Sequence, residues 1–114
     1  MPFRHSIVDE FLALATRTTS GTSSGFNKND FHEGLMLLDV TAVSGTGPTL
    51  DVAIQTSPDN TNWFNLPNGA FTQVVAPGKQ VLKADNFGKY IRVAHTIAGT
   101  NPSFTFSVVF VGKT

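Results

Sequence analysis

Three histidines, one Gly-x-Ser-x-Gly run and one acidic turn ending in tryptophan are the features of this chain whose residue types could do chemistry. Metal coordination requires ligands that converge. His5, His32 and His95 lie in three separate stretches, and none has a second histidine three or four positions away. Asp30, His32 and Glu33 make a local cluster, but they sit where a Ser/Gly-rich stretch enters a strand-like run, and a hydrogen-bonded entry uses the same residue types. No metal and no cofactor is expected. Gly21-Thr22-Ser23-Ser24-Gly25 has the letters of a nucleophile elbow, which needs a strand before it and a helix after it. Here the run lies inside a Ser/Gly stretch, and no base is spaced to activate Ser23. Glycine-rich phosphate loops are absent, the other glycines falling in turns rather than at strand-to-helix steps. No catalytic residue is expected, and the chain reads as a non-enzyme.

Two of these features have structural readings. His95 shares a face with Ile91, Val93 and Ile97, the setting of a hydrogen-bonded core or interface histidine. Ser57-Pro58-Asp59-Asn60-Thr61-Asn62-Trp63 has the composition of an Asx turn. Trp63 could stack on a sugar ring, but a lone aromatic beside Phe64 and Leu66 fits an inward-packed turn better.

The elements that would position these residues follow from composition and period. At 114 residues the chain is one domain. Charged residues are only 14%, below the roughly 25% usual in globular domains. Eight basic and eight acidic side chains balance, leaving no basic footprint for a nucleic-acid backbone. No cysteine is present, which removes disulfides and thiolate chemistry. Asp9 and Glu10 interrupt the stretch where the apolar core of a secretory leader would begin. The apolar runs, such as Leu35 to Leu38 and Val108 to Val111, are too short to span a bilayer. Synthesis in a cytoplasm and no membrane partner are expected.

Residues 1–30 read as an N-terminal docking arm with a Gly/Ser/Thr tether, and residues 31–114 as a β-sandwich domain. Ser6 and Asp9 resemble a capping box, and Ile7, Phe11 and Leu14 recur at helical spacing, which predicts a short amphipathic helix over about residues 6–16. A helix this short needs a surface to dock on. Ile7, Phe11 and Leu14 are therefore expected at an interface with another chain, and removal of residues 1–25 is expected to leave a folded domain. From Leu35 onward the period is two. Leu50, Val52 and Ile54 alternate with Asp51, Ala53 and Gln55, and Phe104, Phe106, Val108 and Phe110 with Thr105, Ser107 and Val109. Turn clusters about every ten residues predict an all-β antiparallel sandwich or jelly roll of seven to eight strands.

One internal repeat is present. Val43-Ser44-Gly45-Thr46-Gly47-Pro48-Thr49-Leu50 recurs as Ile97-Ala98-Gly99-Thr100-Asn101-Pro102-Ser103-Phe104, and Val52/Phe106 and Ile54/Val108 keep the register. Each copy reads as strand, Gly-Thr-x-Pro loop, strand, that is, a hairpin. The loops bounded by Gly45 and Pro48 and by Gly99 and Pro102 are expected at the same end of the sandwich, forming one contact surface.

Arg4-His5-Ser6, Phe11-Leu12-Ala13-Leu14, Leu38 to Thr46, Gln55-Thr56-Ser57-Pro58-Asp59 and Gly99 to Val108 form an arrangement that covers nearly the full length. In that arrangement the chain resembles a group of small virion-associated proteins of tailed bacteriophages. The resemblance implies a capsid decoration (cement) protein in the virion, a homo-oligomer with the trimer favoured, bound to the major capsid protein or another virion protein. A neck, tail or fibre component and a carbohydrate-binding adhesion module displayed on the virion are the alternatives.

Overall fold

The computed structural model describes residues 6–28, 31, 33–85 and 87–113. It contains seven strands and, among the described residues, no helix. They are β1 (Ser6–Arg17), β2 (Gly21–Thr22), β3 (Phe26–Asn27), β4 (Glu33–Ser57), β5 (Phe64–Ala70), β6 (Gly78–Asp85) and β7 (Tyr90–Lys113). All pairings are antiparallel and all strands belong to one open sheet, so the fold is all-β but lacks the two separately hydrogen-bonded sheets of a sandwich or jelly roll. β4 and β7 form the spine. β1, β2 and β3 line the outer edge of β7, while β5 and β6 line the outer edge of β4.

The expected helix over residues 6–16 is a strand. Isolated short helices are marginal in water, whereas the free edge of β7 offers a ladder that would otherwise stand unpaired. β1 takes it, from Ser6↔Lys113 to Arg17↔Phe104. Register shifts between Glu10 and Leu12 and between Leu12 and Ala15 break the alternation. An extra residue at a bulge sets neighbours on one face, and Phe11 and Leu12 are both buried. Arg17 holds the second irregularity: its guanidinium donates to the carbonyls of Ala13 (2.7 Å) and Phe106 (2.8 Å) and lies 4.7 Å from the Phe106 ring centroid. The Ser/Gly stretch is also stitched to β7. Ile97 N–H donates to Ser20 Oγ, and Ser23 N–H donates to the Val93 carbonyl.

The sheet doubles over. A 25-residue strand such as β4 would run about 80 Å if straight, yet the longest dimension of the molecule is 53 Å. His95 and Phe106, which roughly 35 Å of straight strand would separate, meet with ring centroids 5.5 Å apart. The bend brings the β1, β6 and Phe104–Lys113 half of the sheet against the half that holds β2, β3, β5 and Tyr90–Ile97. Both halves contribute to one apolar cluster. Met36, Leu38, Val40, Leu50, Val52 and Ile54 enter it from β4, and Ile91, Val93, Phe104, Phe106, Val108 and Phe110 from β7. Period-two alternation marks Leu50, Val52 and Ile54, and Phe104, Phe106, Val108 and Phe110, as one such face; it does not choose between Met36, Leu38 and Leu35, Leu37.

The repeat supplies the bend. Its two Gly-Thr-x-Pro segments are corners within the long strands rather than the hairpin turns expected, and they face each other. Thr46 pairs with Thr100, and the flanking pairs are related by exchange of the two copies: Val43↔Phe104 with Leu50↔Ile97, and Ser44↔Ser103 with Thr49↔Ala98. The ladder therefore has a local pseudo-two-fold at Thr46 and Thr100. Backbone conformations repeat as well: φ is +108° at Gly45 and +127° at Gly99, then +58° at Gly47 and +49° at Asn101. At Gly45 a Cβ would stand 2.6 Å from the Asn101 carbonyl oxygen, and at Gly99 it would stand 2.9 Å from the Gly47 oxygen. Only glycine permits that approach.

Candidate functional site

The features with chemical potential resolve into structural roles. Ser23 is buried; its Oγ accepts from Val93 N–H (2.9 Å) and donates to the Ser24 carbonyl (2.9 Å). No helix follows it, so the nucleophile-elbow geometry is absent there. His5, Asp30 and His32 lie outside the described residues, and among those described no group of three or more potential ligands could hold a metal ion. His95 is buried under the chain's first segment. Its Nε2 meets the Thr19 carbonyl at 3.2 Å, Gly21 pairs with it across the ladder, and Nδ1 is buried with no hydrogen-bond partner. Burial pushes its pKa down, the Thr19 bond opposes this, and the nearby Arg17 charge adds to the lowering.

The Ser57–Trp63 segment is an ordered turn. The carboxylate of Asp59 accepts from the backbone N–H groups of Thr61 (3.0 Å) and Asn62 (2.9 Å) and from the Asn62 side chain (2.8 Å). These bonds, that of the Asn62 backbone foremost, hold the carboxyl well below the usual carboxylate range. Fully buried Ser57 closes the turn by accepting from Asn60 N–H (2.8 Å). Trp63 is half-buried, with the Arg92 guanidinium 4.4 Å from its ring centroid and the Gly25 backbone against its edge. One of its stacking faces is thus used within the chain.

Of the residues expected at an interface, Phe11 is corrected. It is 5% exposed in its own core, stacked on Phe26 at 4.1 Å and tilted against Phe110 at 5.6 Å. Leu14 is 56% exposed and points away from that core. Ile7 pairs with Gly112, and its side chain lies outside the described residues. Gly45, Pro48, Gly99 and Pro102 do come together. With exposed Thr46, Gly47, Thr100 and Asn101 they form a small crest at the bend.

Two features were not anticipated. Lys28 is buried, paired with Asp9 of β1, and its ammonium lies within 5.6–5.9 Å of the centroids of the Phe26, Phe31 and Phe110 rings. Nothing in the local sequence marks a lysine for burial, since its partners come from distant segments. The second is the outer face of the sheet half that contains β6. Leu35 and Leu37 on β4, Val109 and Val111 on β7, and Val81 on β6 are on the side opposite the core. Val8 and Val81 there are 68% and 66% exposed. A signal did exist: Leu35 to Leu38 and Val108 to Val111 are uninterrupted apolar runs, the pattern of strands covered on both faces.

Comparison with known proteins gives a fold and a family. No curated protein matches the chain. The crystal structure of YomS, a protein derived from the SPBc2 prophage, superposes with a TM-score of 0.54 over 97% of this chain and 96% of its own, at 12% identity. At that identity the likeness is one of fold. Residues 42–114, from the first corner of the repeat to the end of β7, match the family described as Domain of unknown function (DUF6385). With the match spanning both corners and the spine they bend, this chain is a member of the DUF6385 family.

Proposed function

We propose that the protein is a non-enzymatic structural component of a tailed-phage particle, with capsid decoration as its role and the major capsid protein or another virion protein as its partner. The observation that carries this reading is the fold shared, end to end, with a prophage-derived protein. Supporting it is the low charge content. The Arg92 guanidinium over one face of Trp63 favours particle structure over sugar adhesion. In this role the crest and Leu14, at the far end of β1, are the surfaces that meet the partner. The test is quantitative mass spectrometry and cryo-EM of purified particles from a phage encoding the protein. Hundreds of copies arrayed on the shell are expected. A handful of copies at the neck or tail would move the protein there, and absence from the particle would refute the reading.

A further inference from the structure

We propose that the outer face of the β1-β7-β4-β6 half-sheet is a self-association surface, on which two copies of the chain pack about a two-fold axis. The inference is independent of a place in a phage particle. Strand register sets two rows of side chains across this face. One runs Val8, Val111, Leu35, Lys83 and the next Glu10, Val109, Leu37, Val81. The block is apolar except for two diagonally opposite corners, one acidic and one basic. Strands whose successive residues are apolar on both sides are those that need cover on both faces. Among the described residues the core cluster covers only the inner side of these strands.

Charge placement identifies the cover as a second copy. A two-fold axis through the centre of the block, in the plane of contact and perpendicular to the Glu10–Lys83 diagonal, sets each Glu10 over the Lys83 of the other copy. The same patch then serves both subunits, as an isologous contact requires. Lys83 is available for this. It is 66% exposed, and its own-chain carboxylates, Glu33 and Asp85, stand at 3.9 Å, the weak end of ion pairing. Among the described residues Glu10 has no ion pair of its own. Beside the block lies a depression of about 350 Å³ between Leu37, Val81 and Val109 on one side and Asp39, Lys79 and Ser107 on the other, room for a side chain of the second copy. Four strands over eight residues give roughly 500 Å² of face per copy, below the ~800 Å² of a standard interface. The dimer should therefore dissociate in the micromolar range. A two-fold pair takes the place of the trimer expected from the family resemblance.

Sedimentation velocity of the full chain from about 5 to 500 μM tests the proposal. A concentration-dependent monomer–dimer equilibrium is expected. Leu37→Glu should abolish it with an unchanged far-UV spectrum. If that variant fails to fold, Val81→Glu, at an exposed position on an edge strand, should do the same. Glu10→Lys and Lys83→Glu should each weaken the dimer by at least about tenfold, since each reversal creates two like-charge contacts. Combining them should restore most of the affinity. A monomer at every concentration, a trimer, a dimer indifferent to Val81→Glu, or a double reversal no tighter than either single one would overturn the proposal.

Discussion

Replacement of Phe11 by alanine decides whether the first strand belongs to the fold or to a partner. The side chain is 5% exposed and contacts two other rings, Phe26 from β3 and Phe110 from β7. Phe-to-Ala changes at such sites cost about 3–5 kcal/mol, combining lost transfer energy with the cavity left behind. A domain of this size has a total stability of about 5–15 kcal/mol, so the change removes a large share. At about 4 °C per kcal/mol, the melting temperature should fall by roughly 12–20 °C. Urea denaturation followed by circular dichroism measures the loss, and Leu14→Ala, at 56% exposure, is the control, expected within about 0.5 kcal/mol of the parent. Removal of residues 1–25 should be worse than either. It strips β1 and β2 from β7, exposes a long unpaired edge, and should give an insoluble or unfolded chain instead of the folded domain that a detachable arm implies. A Phe11→Ala loss below about 1 kcal/mol, or a soluble and cooperatively folded truncation, would refute the placement of β1 in the core.

The Lys28–Asp9 pair should show the asymmetry of buried charges: Asp9→Asn strands the ammonium and should cost about 2–3 kcal/mol by chemical denaturation, less than the ~3–5 kcal/mol of a fully buried pair because Asp9 is 24% exposed, whereas Asp9→Leu combined with Lys28→Met should recover most of it. At the bend, Gly45→Ala should cost more than about 2 kcal/mol, because φ is +108° and the new Cβ meets the Asn101 carbonyl. Gly47→Asn should stay within about 1 kcal/mol, because asparagine already holds the matching conformation at Asn101 and no atom lies near the Gly47 Cβ position. His95 has a folded-state pKa below its ordinary value. As pH falls below about 6.5 the unfolded chain takes up a proton that the native chain refuses, so stability should drop with falling pH until the native histidine itself titrates. Subtracting the pH–stability profile of His95→Gln from that of the parent isolates this contribution, and a difference flat below pH 6.5 would contradict it.

The inner face of the long strands was legible in the sequence because alternation over Leu50, Val52 and Ile54, and over Phe104, Phe106, Val108 and Phe110, admits one inward set. β1 was not, for a specific reason. Ile7, Phe11 and Leu14 satisfy helical spacing, and two register shifts erase the period that would have identified a strand. The Ser/Gly stretch reads as a tether because β2 within it and β3 beside it are two residues each, and its other ties to β7 are hydrogen bonds at Ser20 and Ser23 that no periodicity marks. Gly-Thr-x-Pro was read correctly as a place where the chain turns, but a turn that reverses direction and a corner that continues a ladder use the same residues. What separates them is the partner across the ladder, and sequence order does not show that Thr46 faces Thr100.

That pairing explains why one sheet can build a two-layered core. A single bulged strand would kink alone and break register with its neighbour. Two corners placed opposite each other, with positive φ at Gly45 and Gly99 and again at Gly47 and Asn101, let both strands turn together and keep pairing on either side. The exchange symmetry is retained where geometry demands it, from Ala42↔Thr105 to Asp51↔Thr96, and is lost one step farther out, where a register shift between Val40 and Ala42 has no counterpart beside Val52↔His95. The asymmetry coincides with different surroundings. Beyond the shift one half carries the long edge strand β6 and the exposed apolar face, while the other carries β5 and the Ser57–Trp63 turn. The corner is thus held to one geometry in both copies, and the flanking arms are free to diverge, one leaving an apolar face exposed and the other carrying the hydrogen-bonded Ser57–Trp63 turn.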